Sequence, residues 1–218
     1  MSFNLPIDHV IILASDLAQA GKAFENIGFS VTPIAKHSAV MGTANRCVML
    51  DGSYIEILAI VEPTEANARW RRLLDKGSGL GGVALRSKDI DNDAQTFEQN
   101  SIGMETVRHF SRQTDIGELR FSISRFKDSV TPSYQCLLCQ HHTPELLWIS
   151  DALKHPNGAR RLLSVSTPNA SELGALASTN SSDTIVSTGQ DRLTLTGNSD
   201  ALFDLRASCG LEIAMVRA

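Results

Sequence analysis

The chain has 218 residues, 42% of them hydrophobic and 20% charged, enough for a globular fold with a sizeable core. Its 20 basic and 24 acidic residues leave a net charge of −4, and no block of like charge marks a nucleic-acid partner. No apolar run reaches the roughly 18–20 residues that span a bilayer. The N-terminal "MSFNLPIDHV" lacks the basic and apolar regions of a secretory leader, so the expectation is a cytoplasmic protein outside the membrane.

The first predicted element is a strand, "IDHVIILA" (7–14), with His9 inside an apolar run. Asp16 can cap the helix that follows, with Gln19 at the capping-box position. Leu17, Ala20, Phe24 and Ile27 recur at helical spacing, and Gly28 ends the helix. "FSVTPIA" resumes as extended chain. "KHSAVMGTAN" then reads as a glycine-containing loop carrying His37, Thr43 and Asn45. The runs "RCVMLD" and "YIEILAI" flank Asp51-Gly52, a strong hairpin signal. The order over residues 7–61 is therefore β-α-β-β-β. Residues 63–79 form a helical connector in which Arg69, Arg71 and Arg72 around Trp70 read as a solvated face. "GSGLGG" (77–82) precedes a strand and lacks the Lys-Ser/Thr of a phosphate loop, so it is not a nucleotide site.

The order then recurs. Asp89, Ile90, Phe97 and Glu98 stand where Asp16, Leu17, Phe24 and Glu25 stood 73 residues earlier. Three strand-like runs follow, "METVRHF", "ELRFSISRF" and "YQCLLCQ", which makes residues 80–142 a second β-α-β-β-β module. Cys136 and Cys139 form a CxxC, but residues three apart on a strand point to opposite faces, so a shared zinc site is not expected. The four cysteines read as small core residues of a reducing compartment. In "TPELLW" (143–148), Glu145 is a candidate binding residue, Trp148 a core residue, and His155 in "HPNGA" structural. A partial third copy starts at "RRLLSVST" (160–167), continues through "ASELGALAS" and the polar loop "STNSSDT", and ends in "LEIAMVR".

Two such modules leave inner sheet faces that must be covered, by each other or by a partner chain in a homodimer. Together they form a cup. By strict alternation Ile7, His9, Ile11 and Leu13 share one face, as do Tyr54, Glu56 and Leu58. A histidine in such a strand is either a hydrogen-bonded core residue or a functional one. A buried carboxylate such as Glu56 needs a partner. The two satisfy each other either as a His–Glu pair or as ligands of one divalent metal ion.

The stretches "DHVIILASDL", "KHSAVMGTANRCVMLDGSYIEILAI" and "QHHTPELLWISDALKHPNGA" resemble the glyoxalase-like branch of the vicinal oxygen chelate superfamily over about residues 5–160. The resemblance implies an α+β fold of paired βαβββ modules forming a cup-shaped, partly closed mixed sheet. Here a partial third αβ module would join it, with a glyoxalase-like domain at 1–150 and a C-terminal unit at 151–218 packed on it. In metal-dependent relatives each module offers one ligand from its first strand and one from its last. His9 and Glu56 match that pattern in module one. In module two the counterpart of His9 is Gly82, aligning Tyr134 with Tyr54 sets Cys136 opposite Glu56, and His141 is the candidate third ligand. His37 and Glu56 are the catalytic candidates, and His37, Thr43, Asn45 and Glu145 the substrate-binding ones. The expected ligand is a small oxygen-rich molecule. Two activities fit: a metal-assisted lyase, isomerase or dioxygenase, or a non-catalytic binding protein of the bleomycin-resistance type.

Overall fold

The computed structural model of the protein describes residues 5–177 and 183–218. Module one comprises β1 (Ile7–Leu13), α1 (Leu17–Asn26), β2 (Ala35–Lys36), β3 (Thr43–Leu50) and β4 (Ser53–Ile60). A short helix, α2 (Ala68–Leu74), leads into module two: β5 (Gly79–Arg86), α3 (Ile90–Gln99), β6 (Arg108–Thr114), β7 (Gly117–Arg125) and β8 (Leu137–His141). Each long helix starts where its sequence says it should. The Asp16 carboxylate accepts from the Gln19 amide at 2.9 Å, and Asp89 repeats the cap on Asn92 at 3.3 Å.

The two modules share one eight-stranded sheet in the order β2-β3-β4-β1-β5-β8-β7-β6. β1 and β5 are antiparallel at its centre, and within each module the first strand pairs parallel with the last. Side chains next to β2 and on β6 line one cavity, so the sheet curls until its two edges face each other. α1 and α3 cover the outer face, where Phe24 and Phe97 are fully buried.

Val10 lies opposite Val83 at the centre of the β1–β5 ladder, an offset of 73 that makes this pair the pseudo-twofold of the repeat. On either side of it the register slips. Ile7 opposes Leu85 and His9 opposes Ala84, which leaves Asp8 without a partner; Ile11 opposes Gly82 and Ile12 opposes Leu80, which leaves Gly81 without one. Asp8 and Gly81 are themselves 73 apart, so both modules carry the same bulge. The bulge corrects the alternation expected from sequence. Ile7 joins Val10 and Ile12 under the helices, while Ile11 and Leu13 face the cup.

Other expectations shift as well. "METVRHF" is a strand only from Arg108, because the hairpin turn falls at Asp115-Ile116 and the strand runs on to Thr114. Thr43 and Asn45 belong to β3 rather than to the loop before it. Arg69 does not face solvent: it donates to the carbonyls of Phe126, Thr131 and Tyr134 and pairs with Asp128 at 3.0 Å, which ties the connector to module two.

The C-terminal segment forms its own five-stranded sheet from β9 (Leu162–Thr167), β10 (Ile185–Thr188), β11 (Arg192–Gly197), β12 (Ala201–Asp204) and β13 (Glu212–Arg217), in the order β10-β9-β11-β13-β12. α4 (Ala170–Gly174) links β9 to its parallel neighbour β10. The elements match the expected third unit, but their pairing is its own. β9 pairs parallel with the strand next in sequence rather than with the last of three. Most of the "STNSSDT" loop lies outside the described residues. Val165, Leu195 and Ile213 from this sheet join Phe24 and Val10 in one continuous core.

Candidate functional site

Module one brings its polar side chains to the floor and rim of the cup. His9 on β1 and Glu56 on β4 approach each other, with Nε2 and Oε2 3.7 Å apart. The Asn45 amide donates to Glu56 Oε1 at 2.6 Å. His37, just past β2, sets Nδ1 at 2.7 Å from Thr43 Oγ1 and Nε2 at 4.0 Å from Glu56 Oε1. All five residues line a cavity of about 430 Å3. Burial lowers the pKa of His37 despite the opposing pull of Glu56, and Arg112 across the cup lowers it further. The His9 ring stacks on Tyr54, with centroids 4.3 Å apart.

Behind His9 lies a residue that alternation hides. The bulge turns Asp8 to the same side as His9, fully buried, where its Oδ1 is 2.7 Å from His9 Nδ1 and 3.0 Å from His141 Nε2. Arg86 Nε donates to its other oxygen at 2.7 Å. Burial by itself would raise the pKa of Asp8, but the hydrogen bonds from His141 and His9 hold it far below the ordinary carboxylate range. An ionised carboxylate only accepts, so His9 Nδ1 and His141 Nε2 both carry protons. The lone pair of a neutral His9 is then on Nε2, turned toward Glu56. This is the arrangement in which an outer carboxylate fixes the tautomer of a metal-binding histidine.

His141 lines the cavity, but its Nε2 is committed to Asp8 and does not converge with His9 and Glu56. Among the described residues, the three metal-type donors lying within 4.8 Å of one another are those of Asp8, His9 and Cys139. That trio suits a cation poorly: Asp8 already accepts three bonds, and burial with the nearby charges of Asp8 and Glu56 raises the Cys139 thiol well above its ordinary pKa. Glu145 is exposed on a 3-10 turn and takes no part in lining the cup.

Module two contributes no matching ligands. Gly82 stands at the position of His9, and a β-carbon there would collide with the Gln135 carbonyl. The register makes Leu137, not Cys136, the counterpart of Glu56: Ile11 pairs with Glu56 as Ala84 pairs with Leu137. Cys136 faces the helices and Cys139 the cup, so the CxxC is split across the sheet as alternation requires. Sequence reasoning missed Asp8, Arg112 and Arg125. Asp8 and Arg125 were visible as charges inside predicted strands, and Gly81 at the repeat position of Asp8 was a bulge signal, whereas Arg112 lay beyond the predicted end of its strand.

A family model described as a glyoxalase-like domain matches residues 7–178. A hypothetical protein from Staphylococcus aureus superimposes with a TM-score of 0.74 at 12% identity, over 98% of this chain and 100% of that one. That likeness establishes the fold, including the C-terminal sheet. Methylmalonyl-CoA epimerase structures also match, two of them as follows. The Streptomyces coelicolor enzyme, bound to 2-nitronate-propionyl-CoA, has a TM-score of 0.49 at 19% identity, over 64% of this chain and 99% of that one. The Mycobacterium tuberculosis enzyme has 0.49 at 18%, over 64% and 90%. A search of curated proteins found no match. No described helix is long and apolar enough to cross a membrane.

Proposed function

The chain belongs to the glyoxalase-like domain family of the vicinal oxygen chelate superfamily, and on that premise we propose that its cup is the active site of an enzyme acting on a small oxygen-rich molecule with the help of a divalent cation. The observation that carries this reading is the approach of His9 Nε2 to Glu56 Oε2 at 3.7 Å, with Asp8 fixing the far side of the imidazole. His9 and Glu56 would hold the ion, and His141 would complete the set only by leaving Asp8. Such a cation polarises neighbouring oxygens on a ligand, a requirement shared by the lyase, isomerase and dioxygenase reactions of the superfamily.

The chain's own residues supply the rest. Asp8 orients the His9 ring through its bond to Nδ1, which leaves Nε2 facing Glu56. Asn45 fixes the Glu56 carboxylate by hydrogen bonding to Oε1. His37 is the acid/base candidate: burial favours its neutral form, which leaves a ring nitrogen free to accept a proton. Thr43 holds the His37 ring by its other nitrogen. We assign the cup to residues 1–150, with the 151–218 unit buttressing it. Four free, buried cysteines support a reducing, cytoplasmic setting.

A second reading, ligand binding without turnover, is favoured by Gly82 and Leu137, which supply no donors where module two of a metal-dependent relative would. Elemental analysis of protein purified without chelator or affinity tag, followed by metal titration, separates the two. The expected result is stoichiometric metal in wild type and affinity lower by orders of magnitude in Glu56→Gln and His9→Ala. Equal uptake by wild type and Glu56→Gln would remove the ion from this site and leave the binding-protein reading.

A further inference from the structure

Across the floor of the cup one row of paired residues runs from module one to module two. Tyr54 lies beside His9, His9 beside Ala84, Ala84 beside Leu137, and Leu137 beside Arg125. The row starts polar, becomes apolar over Ala84 and Leu137, and ends in a guanidinium.

Arg125 is only 8% exposed, and among the described residues no carboxylate lies within 4.0 Å of it. Its Nη1 donates to the Ala66 carbonyl at 3.3 Å, its Nη2 meets only the Met41 sulfur at 4.0 Å, and its Nε has no partner. Nε and Nη2 form the edge of the fork that takes both oxygens of a carboxylate at once. Here that edge is covered by an unbranched, adaptable methionine. The acid that acts on it most strongly, Glu105, is drawn to Arg108 at 3.6 Å instead. Burial lowers the pKa of Arg125, the mark of a cation held without full compensation. Arg112 also lines the cup, with no carboxylate within 4.0 Å among the described residues, and the stacked rings of Phe110 and Phe121 form an apolar wall between. A buried charge without a counter-ion is costly, and a ligand of opposite charge would offset that cost.

We infer that the cup takes a carboxylate-bearing ligand whose carboxylate pairs with Arg125, whose apolar chain lies over Leu137 and Ile11 on the cavity wall, and whose oxygen-bearing carbon faces His9 and Glu56. The inference rests on the cup being the ligand site and adds the class of molecule. Three strand spacings separate the backbones of His9 and Arg125, about 14 Å along the curved sheet, and both side chains shorten that span by reaching inward. A short chain bearing a carboxylate at one end and a hydroxyl or carbonyl at the other matches it. Module two thus sets an anion receptor beside Leu137, the counterpart of Glu56.

The test uses ω-hydroxycarboxylates of four to eight carbons, with diols of matched length as uncharged controls, in calorimetric titration and thermal unfolding. Wild type should bind a carboxylate of the series and prefer it to its diol. Arg125→Met should lose that preference, with affinity falling about thirtyfold or more, while Arg125→Lys keeps part of it. Without ligand, Arg125→Met should unfold at the same temperature as wild type or higher, because an uncompensated charge has been replaced by an apolar side chain. No binding by any member of the series, equal binding of acid and diol, or a strongly lowered midpoint in Arg125→Met would overturn the inference. The last result would make the bond to Ala66 a structural one. Glu56→Gln separates this claim from the cation reading. If its metal uptake equals that of wild type while the preference still follows Arg125, the cation reading falls and the anion receptor stands.

Discussion

Module one and module two share their strand order, their helix caps and even their bulge, yet their inner faces carry opposite chemistry. At the bulge module one has a buried Asp8 and module two has Gly81. At the next position one has His9 and the other Gly82. On the last strand Glu56 faces Leu137, and beside these Cys47 faces Arg125. One module thus builds an anionic, hydrogen-bonded centre, and the other an apolar shelf ending in a cation. The repeat fixes where rows of side chains fall, and leaves each row's chemistry free to diverge.

Breaking the centre of module one should have the largest effect. Asp8→Asn removes a buried carboxylate that accepts from His9, His141 and Arg86, and should destabilise the fold by about 3–5 kcal/mol in denaturant titration. The pH dependence follows from the same group. Its folded pKa lies below its unfolded one, so its contribution is complete above about pH 4 and declines as pH falls below that. Wild type should therefore lose stability steadily on acidification, and Asp8→Asn should show a flatter acid limb. Similar limbs would mean that the charge of Asp8 does not hold the site.

Trying to make module two resemble module one comes next. Gly82→His restores the histidine of the repeat, but its β-carbon meets the Gln135 carbonyl, so overpacking should cost about 1–3 kcal/mol or more and add no metal site. A well-folded variant with higher metal affinity would show that backbone approach does not enforce the asymmetry.

Asn45→Ala is milder. It removes one hydrogen bond to a partly exposed carboxylate that water can replace, and should cost about 1 kcal/mol in stability while weakening cation or ligand binding measured by titration. The smallest effect is expected at the rim. Glu145→Ala should change stability by less than about 0.5 kcal/mol and leave binding in the cup unchanged. A clear loss of binding would extend the site beyond the cavity walls.

Much of this was legible along the chain. The caps at Asp16 and Asp89, the Asp51-Gly52 hairpin and the repeat at 73 residues are local signals, set by backbone groups a few positions away. They fixed the two βαβββ modules. His9 and Glu56 stood out because a polar side chain in an apolar strand must be satisfied somewhere, and both do line the cup. Glu145 carried no such signal, and its turn leaves it exposed.

What the tertiary structure alone decided is register. A strand alternates with period two, so one unpaired residue exchanges the faces of everything before it. The bulge at Asp8 sends Ile7 under the helices and turns Asp8 into the cup. The ladder between β5 and β8 likewise puts Leu137, and not Cys136, opposite the place of Glu56. Arg69 reads as solvated in the sequence because its partners, the carbonyls near Phe126 and Tyr134, lie some sixty residues away. Arg125 reads in sequence as one more charge on a strand. Only the closing of the sheet, with Met41 and Ala66 folded over it, makes it a buried cation without a counter-charge. Local propensity specifies the elements, whereas register and burial depend on contacts between segments far apart in the chain, and those contacts exist only once the sheet has curled into a cup.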